Sequence, residues 1–403
     1  MNRKLIQAIG VGVTATTFSA LAGDMSVAAP TPANNGNWCD TFKGIGTIYK
    51  DTSNPYIQEV KFFGRAHYQF SHTDGDYNGT DFHSNGGELR RLRFGTSIKF
   101  LNDFKLVGRV NLEDGGYRDD SLAYDNFDEL YLTYNVGDLG SFEDVSLTYG
   151  RMKVSVGGEE HMSSKKIKTV ERSNLNNTYG SIRPTGLMAK AGLGGVTYSV
   201  GIFSTDTGPI DPVTDDFAKR DALGDWNEGI AYYASAEFEV ASGDVIADFL
   251  YNDADSSDED AIGYEWVASL SHMTEIGNWD LLLNATYGES HAGDSVYGVV
   301  VMPSTFLIED KLEAVVRYQY AGSNDGDGLK INSRAVRNSY SDYTNGATSI
   351  DSGDENHTIY AGLNYYLCDH NAKVMLGAEY ETLDGDGVDL EATTLWAAFR
   401  MYF

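Results

Sequence analysis

The sequence predicts an all-β protein, a transmembrane antiparallel β-barrel of about sixteen strands. Apolar residues alternate with polar ones along many segments, and the connections between these segments are alternately short and long. The chain also ends in an amphipathic strand whose last residue is Phe403. A closed barrel pairs every strand on both edges, so it leaves no backbone polar group bare in lipid. No segment after the N-terminus has about 18 consecutive apolar residues, so no helical membrane span is predicted.

The start of the chain is typical of a cleaved signal peptide. Arg3 and Lys4 precede an apolar stretch over residues 5–21, and Ala20-Leu21-Ala22 has the small residues of a cleavage site, with residue 28 as the latest alternative. A membrane helix is the competing interpretation, but Thr and Ser residues dilute the stretch. The predicted order is signal peptide, N-terminal periplasmic segment and barrel domain, at residues 1–22, 23–56 and 57–403.

Period-2 alternation identifies the strands. In the first, Phe62 and Tyr68 share the apolar face, and Arg65 and His67 share the polar face. The closing strand has apolar residues at alternate positions, and its predicted barrel-closing and assembly signal consists of Phe399, Met401 and Phe403. The clearest strands are expected near residues 60–70, 92–100, 104–112, 130–134, 145–149, 232–238, 245–251, 264–270, 279–287, 314–320, 359–365 and 395–403. Weaker strands are expected near 176–190, 196–203, 294–302 and 372–381.

The long connections are expected outside the cell and the short ones in the periplasm. The long connections are predicted near residues 71–86, 113–126, 153–175, 204–228, 252–261 and 321–355. A soluble sandwich or propeller would need a polar outer face, whereas nearly every strand here has a face rich in Leu, Val, Tyr and Phe. A barrel of this width is too wide for side chains to fill and encloses a water-filled channel.

Composition narrows the partners. The chain carries 26 Tyr and 18 Phe residues, which suit aromatic girdles at the two membrane interfaces. Its formal net charge of −29 excludes nucleic acid as a partner. Outer-membrane lipid and lipopolysaccharide are the expected surroundings. The acid-rich stretches at 253–260 and 324–328 lack the closing Glu of a calcium loop, so no metal and no cofactor is predicted.

Cations concentrate on the polar faces of the first three strands. They are Lys61, Arg65, Arg91, Arg93, Lys99, Lys105 and Arg109. The opposite arc of the wall carries Glu237, Asp248, Glu265 and Asp280. Cations that line a pore favour anions, although wall cations can instead pair with loop acids.

The third long connection repeats this chemistry. Lys165, Lys166, Lys168 and Arg172 lie among the hydroxyl groups of Ser163, Ser164, Thr169 and Ser173. Ammonium, guanidinium and hydroxyl groups are donors that suit a phosphate or sulfate oxyanion.

These residues resemble the phosphate-selective porin O and P family of bacterial outer membranes. The resembling stretches are residues 88–95, with their paired arginines, and residues 149–154, 159–160, 163–164 and 170–173. The resemblance implies a 16-stranded trimeric barrel whose third external loop folds into the lumen. It also implies an anion pathway formed by Lys165, Lys166, Lys168 and Arg172 of the loop and by Arg91, Arg93 and Arg109 of the wall. Arg65 and Lys105, which lie on the same polar wall face, are predicted to line this pathway with them. Ser155 departs from the Pro that the family often has after Lys-Val.

The implied function is an outer-membrane porin for passive diffusion of small anions, such as phosphate or similar oxyanions. A weakly selective general diffusion porin fits the residues nearly as well, and a surface adhesin or structural barrel is the third alternative. Enzyme activity is not expected. His161 and Ser163 form the only close nucleophile–base pair in the loops discussed, and a separation of two residues in sequence does not by itself give a catalytic geometry. Cys39 and Cys368 are both expected on the periplasmic side, where they can form a disulfide.

Overall fold

The computed structural model describes residues 38–113, 122, 124, 126–205, 226, 229–240, 243–254 and 262–403. The predicted signal peptide and most of the acidic stretch at 253–260 lie outside these residues. None of the helices in the described part of the chain is long and apolar enough to cross a membrane.

The described elements are mostly strands. The helices are α1 Trp38–Gly44, α2 Gly158–His161, α3 Asn174–Tyr179 and α4 Arg334–Tyr343. The strands are β1 Thr47–Lys50, β2 Ile57–Tyr77, β3 Thr80–Phe100, β4 Phe104–Asn111, β5 Phe127–Leu139, β6 Phe142–Arg151, β7 Val154–Ser155, β8 Ser181–Ile182, β9 Thr185–Leu193, β10 Val196–Ser204, β11 Ile230–Val240, β12 Gly243–Asn252, β13 Trp266–Ile276, β14 Trp279–Glu289, β15 Ser295–Ile308, β16 Leu312–Ser323, β17 Glu355–Cys368, β18 Ala372–Gly385 and β19 Val388–Tyr402.

Sixteen of these strands close into one antiparallel barrel, which confirms the predicted fold class. Each strand pairs with its neighbours along the chain, except that β6 pairs directly with β9, and β19 closes the ring on β2. Strand β1 adds a short pairing at the start of β2. Strands β7 and β8 form a separate two-stranded sheet that is not part of the ring. A ring of this size leaves a lumen wide enough for water.

The faces follow the predicted alternation. Phe62 and Tyr68 are exposed on the outer face of β2, whereas Arg65 and His67 are buried on the inner face. On β19, Leu395 and Phe399 are exposed while Trp396 and Arg400 are buried. The apolar side chains therefore face outwards, as they do in a barrel surrounded by lipid.

The prediction of a long external loop over residues 71–86 is wrong. Residues 71–86 continue β2 and β3, which have 21 residues each and join at a two-residue turn. A membrane strand needs only about 9–11 residues, so this hairpin extends beyond the span. Its polar composition resembles a loop, but its backbone pairs in register from His72 to Tyr77 with β3 and β19.

The third long connection spans residues 152–184 and is called the inner loop here. It contains β7, α2, α3 and β8, so the weak strand expected over 176–190 is corrected: α3 ends at Tyr179 and β9 begins at Thr185. Ser173 caps α3 by accepting a hydrogen bond from the backbone N–H of Asn176 at 3.1 Å. The loop's hydrogen bonds run to inward-facing side chains on both sides of the ring, which places it inside the barrel.

A second connection also folds inwards. Residues 324–354, called the mouth loop here, carry α4 across to the inner face of the β2–β3 hairpin. The Tyr340 ring packs edge-on against Tyr77 and Phe82, with ring centroids 5.0 and 5.4 Å apart. Gly75 makes room, because a Cβ there would lie 2.4 Å from the Phe82 ring. The opening at this end of the barrel is thereby narrowed.

The opposite end carries the short turns and both ends of the described chain. Cys39 of α1 and Cys368 of β17 form a disulfide, with Cα atoms 5.4 Å apart. Phe403 closes the ring by backbone hydrogen bonds with Gly64, and its ring packs near Phe62 at 6.0 Å.

Candidate functional site

The inner loop is held by the wall strands β12–β19, called the docking arc here. Arg317 of β16 is 1% exposed, and its guanidinium pairs with Glu159 at 3.1 Å and with Glu379 at 2.8 Å. It also donates to the backbone oxygen of Glu171 at 2.7 Å. One wall side chain thus fixes two separate stretches of the loop.

Two further wall cations fix the loop through its carbonyl groups. Arg400 donates to the backbone oxygen of Val170 at 2.6 Å, and Lys373 donates to that of Ile167. Both wall side chains are nearly inaccessible to solvent. Hydrogen bonds from a charged donor are stronger than neutral ones, which suits the anchoring of a loop that has little regular structure.

The far side of the inner loop is anchored on Asp248 of β12. Its carboxylate accepts from the imidazole of His161 at 2.9 Å and from the backbone N–H of Gly157 at 3.1 Å. Gly157 has a φ of +89°, a backbone conformation that L side chains rarely adopt. A glycine at this position lets the turn present its N–H to the carboxylate.

Lys168 also anchors the inner loop to the docking arc. Its ammonium contacts Asp280 at 2.5 Å and Glu313 at 2.9 Å. Burial alone would lower the pKa of Lys168, but these two carboxylates raise it above its usual value. Arg172 is likewise used inside the loop, because it pairs with Glu160 at 2.9 Å and donates to the backbone oxygens of Glu159 and Met162.

The first strands, β2–β4, are called the cationic arc here, and their arginines face the other side of the loop. Arg65 donates to the hydroxyl of Ser164, and Arg91 has an Nη1 without a hydrogen-bond partner. Neither of the two forms an ion pair with an acid within the described residues. Both are less than 10% exposed, so their charges lie in surroundings of reduced dielectric.

A β-bulge adds a third arginine to this face. His67 pairs with Arg91 and Tyr68 with Leu89, so Arg90 has no partner in the register. A bulge redirects a side chain, and here two consecutive arginines face inwards. Arg90 pairs with Glu171 of the inner loop at 2.7 Å. Burial would raise the pKa of Glu171, but Arg90 and Arg91 lower it well below its usual range.

A second bulge supplies the counter-charges of this face. Arg109 pairs in register with Glu129 and Val110 with Phe127, which leaves Asp128 as the extra residue of β5. Asp128 accepts from three arginines. They are Arg93 at 3.1 Å, Arg183 at 2.9 Å and Arg109. Since Glu129 adds one more acid, at 2.8 Å from Arg109, three cations share two carboxylates.

These side chains enclose a cavity of about 390 Å³ between the inner loop and the cationic arc. Its lining includes seven arginines, Lys153 and His161, with Glu129 as its one carboxylate. The hydroxyl groups of Ser155, Ser163 and Ser164 also line it. Such a cavity offers many donors and a positive potential, which is the chemistry that binds an oxyanion.

A second cavity of about 500 Å³ continues towards the end with the short turns. Arg109 and Glu129 line both cavities, so the two adjoin. The ammonium of Lys165 lies 4.6 Å from the centroid of the Tyr402 ring, and no carboxylate among the described residues is within ion-pair distance of it. The pKa of Lys165 is lowered to about 8, because burial and the charges of Arg65 and Arg109 disfavour its protonated form. The remaining cations of this cavity are Lys43, Lys61, Lys99 and Lys105.

The nine cations predicted for an anion pathway thus fall into separate groups. Lys165, Arg65, Arg91 and Lys105 line the cavities without an acidic partner in the part of the chain described. Arg93 and Arg109 line them while paired with Asp128. Lys168 and Arg172 anchor the inner loop, and Lys166 is exposed.

Sequence reasoning missed Arg90, Asp128 and Arg183 as members of this site. The two bulged residues break the alternation from which facing was predicted, so no period-2 pattern could find them. Arg183 follows β8, in a stretch where a weak strand was expected. Arg317 and Arg400 do follow the alternation of their strands, and the sequence could have indicated them as inward cations.

Comparisons with known proteins agree with this geometry. Residues 60–238 match the family model described as phosphate-selective porin O and P. No curated protein sequence matches the chain significantly.

Solved structures match nearly the whole barrel at low identity. The outer-membrane channel DcaP of Acinetobacter baumannii is 14% identical, with 88% of this chain and 99% of that chain covered and a TM-score of 0.53. OprB of Pseudomonas putida is 12% identical, with 85% and 94% covered and a TM-score of 0.55. The anion-selective porin from Comamonas acidovorans is 12% identical, with 85% and 99% covered and a TM-score of 0.51.

At such identities the solved structures establish the fold, and the family match covers the strands that carry the cationic arc and the inner loop. Together they indicate a channel rather than an enzyme. The resemblance noted in the sequence is confirmed: over residues 60–238 the chain matches the phosphate-selective porin O and P family, and its barrel has the same fold as the outer-membrane channel DcaP.

Proposed function

We propose that the channel passes small anions by diffusion along the cationic arc, with phosphate and similar oxyanions as its preferred solutes. The observation that carries this is the 390 Å³ cavity, whose lining has seven arginines and a single carboxylate. It adjoins the lysine-rich cavity below it, so a permeating anion meets cations in succession.

Electrostatics supports a preference for anions over cations. The attraction between unit charges at 4 Å is worth about 4 kcal/mol at an intermediate dielectric and about 1 kcal/mol in bulk water. The inner loop brings the wall arginines into the intermediate regime by excluding water. The family match and the similarity to an anion-selective porin agree with this proposal.

A weakly selective general porin is the competing function. The acids on the docking arc would favour it if they faced the pathway. Asp248, Asp280 and Glu313 are instead bound to His161 and Lys168 of the inner loop. These carboxylates are therefore held by the inner loop, although the single ammonium of Lys168 offsets only part of their charge. The arginines of the opposite arc that have no acidic partner among the described residues give the pathway its positive potential.

The proposal is tested in planar lipid bilayers by the reversal potential in a KCl gradient. The wild-type protein should show chloride preference, and added phosphate should reduce the chloride current by competing for the arginine-lined cavity. Arg91→Gln should weaken both effects several-fold, because Arg91 has no acidic partner to release. A Lys311→Gln variant, altered at an exposed turn, is the control and should behave as wild type.

A wild-type reversal potential at zero, with no effect of phosphate, would favour the general porin. The homotrimer implied by the resemblance, the periplasmic placement of residues 23–56 and contact with lipopolysaccharide stay predictions.

A further inference from the structure

A third cavity, of about 180 Å³, lies where the inner loop, the mouth loop and the docking arc meet. It adjoins the arginine-lined cavity, since Arg90 and Arg172 line both, but it differs in having three carboxyl groups in its lining instead of one. Arg337 of α4 reaches it from the mouth loop, and Glu381 and Thr358 reach it from β18 and β17. Nothing in the proposed passage of anions uses these three residues.

Four of its five arginines are already neutralised. The pairs are Arg90 with Glu171, Arg172 with Glu160, Arg317 with Glu379, and Arg334 with Glu88. This leaves Arg337 as the cation without an ion pair within the described residues, and Glu381 as the corresponding acid. The cavity therefore presents one guanidinium and one buried carboxyl group that have no ion pair among the described residues.

Two buried polar groups in the cavity lining have an atom without a hydrogen-bond partner among the described residues. Glu381 is 3% exposed and its Oε1 has no hydrogen-bond partner. Thr358 is 2% exposed and its Oγ1 is also without a partner. Burying a polar group without a hydrogen-bond partner is unfavourable, and more so for a charged group. A ligand with donor groups would gain hydrogen bonds here that Glu381 Oε1 and Thr358 Oγ1 do not make within the described residues.

Arg337 cannot be that donor in the present arrangement. Arg337 and Glu381 do not approach each other to the 4.0 Å of an ion pair. A gap remains between two opposite charges on facing elements. A ligand that carries a donor cation at one end and an acceptor anion at the other would bridge it.

We propose that this cavity binds a small zwitterion of the α-amino acid class. Its ammonium donates to Glu381 and Thr358, and its carboxylate accepts from Arg337. A simple oxyanion would satisfy Arg337 but would leave the buried carboxylate unpaired, and a simple cation would do the reverse. The site would give the channel a recognition step for uncharged polar nutrients, beyond the passage of anions.

The test uses glycine as the probe, in single-channel recordings of the full-length barrel at pH 7. Glycine has no net charge there, so it leaves the ionic strength unchanged. Millimolar glycine should produce concentration-dependent blockades of the KCl current. Acetate and methylammonium, each carrying one half of the charge pattern, should need at least tenfold higher concentrations. Equal potency of acetate would show a simple anion site, and the absence of any glycine effect would show no site; either result overturns the proposal.

Variants separate this site from the anion pathway. Arg337 is at an exposed position of α4, so Arg337→Gln should leave barrel assembly unaffected. The substitution should weaken the glycine blockades at least tenfold. Glu381→Gln should do the same. Both should keep the wild-type reversal potential in a KCl gradient, and Lys311→Gln should keep the blockades. Persistence of glycine blockades in Arg337→Gln refutes the site even if Glu381→Gln fails to fold.

Discussion

The cationic arc and the docking arc are parts of one barrel wall, and both face the same inner loop. On the docking arc, Arg317 and Lys373 are buried, and they donate to an acid and to a carbonyl group of the inner loop. On the cationic arc, Arg65 and Arg91 are also buried but have no acidic partner in the described part of the chain. The loop is fastened on one side and leaves a charged gap on the other.

The contrast between the two arcs shows that the role of a cation in this lumen depends more on its partner than on its position in the sequence. Lys165 and Lys168 are three residues apart in the inner loop. Lys168 contacts two carboxylates of the docking arc, while Lys165 lies beside aromatic rings and two arginines. One lysine holds the loop and the other adds to the field of the pathway.

The largest effect is expected when Arg317, the main anchor of the inner loop, is replaced. Arg317→Ala leaves Glu159 and Glu379 buried without their counter-ion, a loss of about 3–5 kcal/mol for buried pairs. The barrel ladder is untouched, so we expect the inner loop to detach while the barrel stays closed. Single-channel conductance and current noise should both rise, and anion preference should fall.

Lys190→Ala, at an exposed wall position, is the control for that experiment and should keep the wild-type conductance. Wild-type conductance and selectivity in Arg317→Ala would show that the loop is held by other contacts.

Replacing Lys165 and Lys168 one at a time tests their different roles directly. Lys165→Gln should reduce anion preference markedly, because its ammonium has no carboxylate to cancel its field. Lys168→Gln should change the reversal potential less and should raise current noise, since Asp280 and Glu313 lose their bridge to the loop. Reversal potentials and noise spectra in the same KCl gradient measure both effects. Equal shifts in the reversal potential for the two variants would contradict the assigned roles.

The smallest expected effect is a pH dependence of the wild-type channel. The pKa of Lys165 is about 8, so its ammonium is charged at pH 6.5 and is lost as the pH rises through this value. Lys153, buried beside the arginine-lined cavity, has a pKa lowered to about 7 by burial and by Arg172, and it loses its charge over the same interval. Anion preference should therefore weaken between pH 6.5 and pH 9.5.

Lys165→Arg is the matched variant, because a guanidinium stays protonated throughout this range. It should show a smaller pH response, with the remainder due to Lys153. An unchanged pH response in Lys165→Arg would exclude Lys165 from the pathway.

The sequence by itself determined the barrel. Period-2 alternation sets which side chains face lipid, and a residue such as Phe62 or Arg65 can be assigned to a face without any knowledge of its neighbours. Strand number and the closing strand followed from the same local pattern. The cationic bias of the first strands predicted basic side chains on the inner face, where Arg65, Arg91 and Arg93 lie.

Only the tertiary structure decided which charges are free. The bulges at Arg90 and Asp128 interrupt the alternation, and no local pattern reports them. The pairing of Lys168 with Asp280 joins residues that are 112 positions apart, through a loop whose path depends on the whole lumen. A charge acts on a passing solute only if no nearby partner cancels its field, and long-range folding alone sets the distance to that partner.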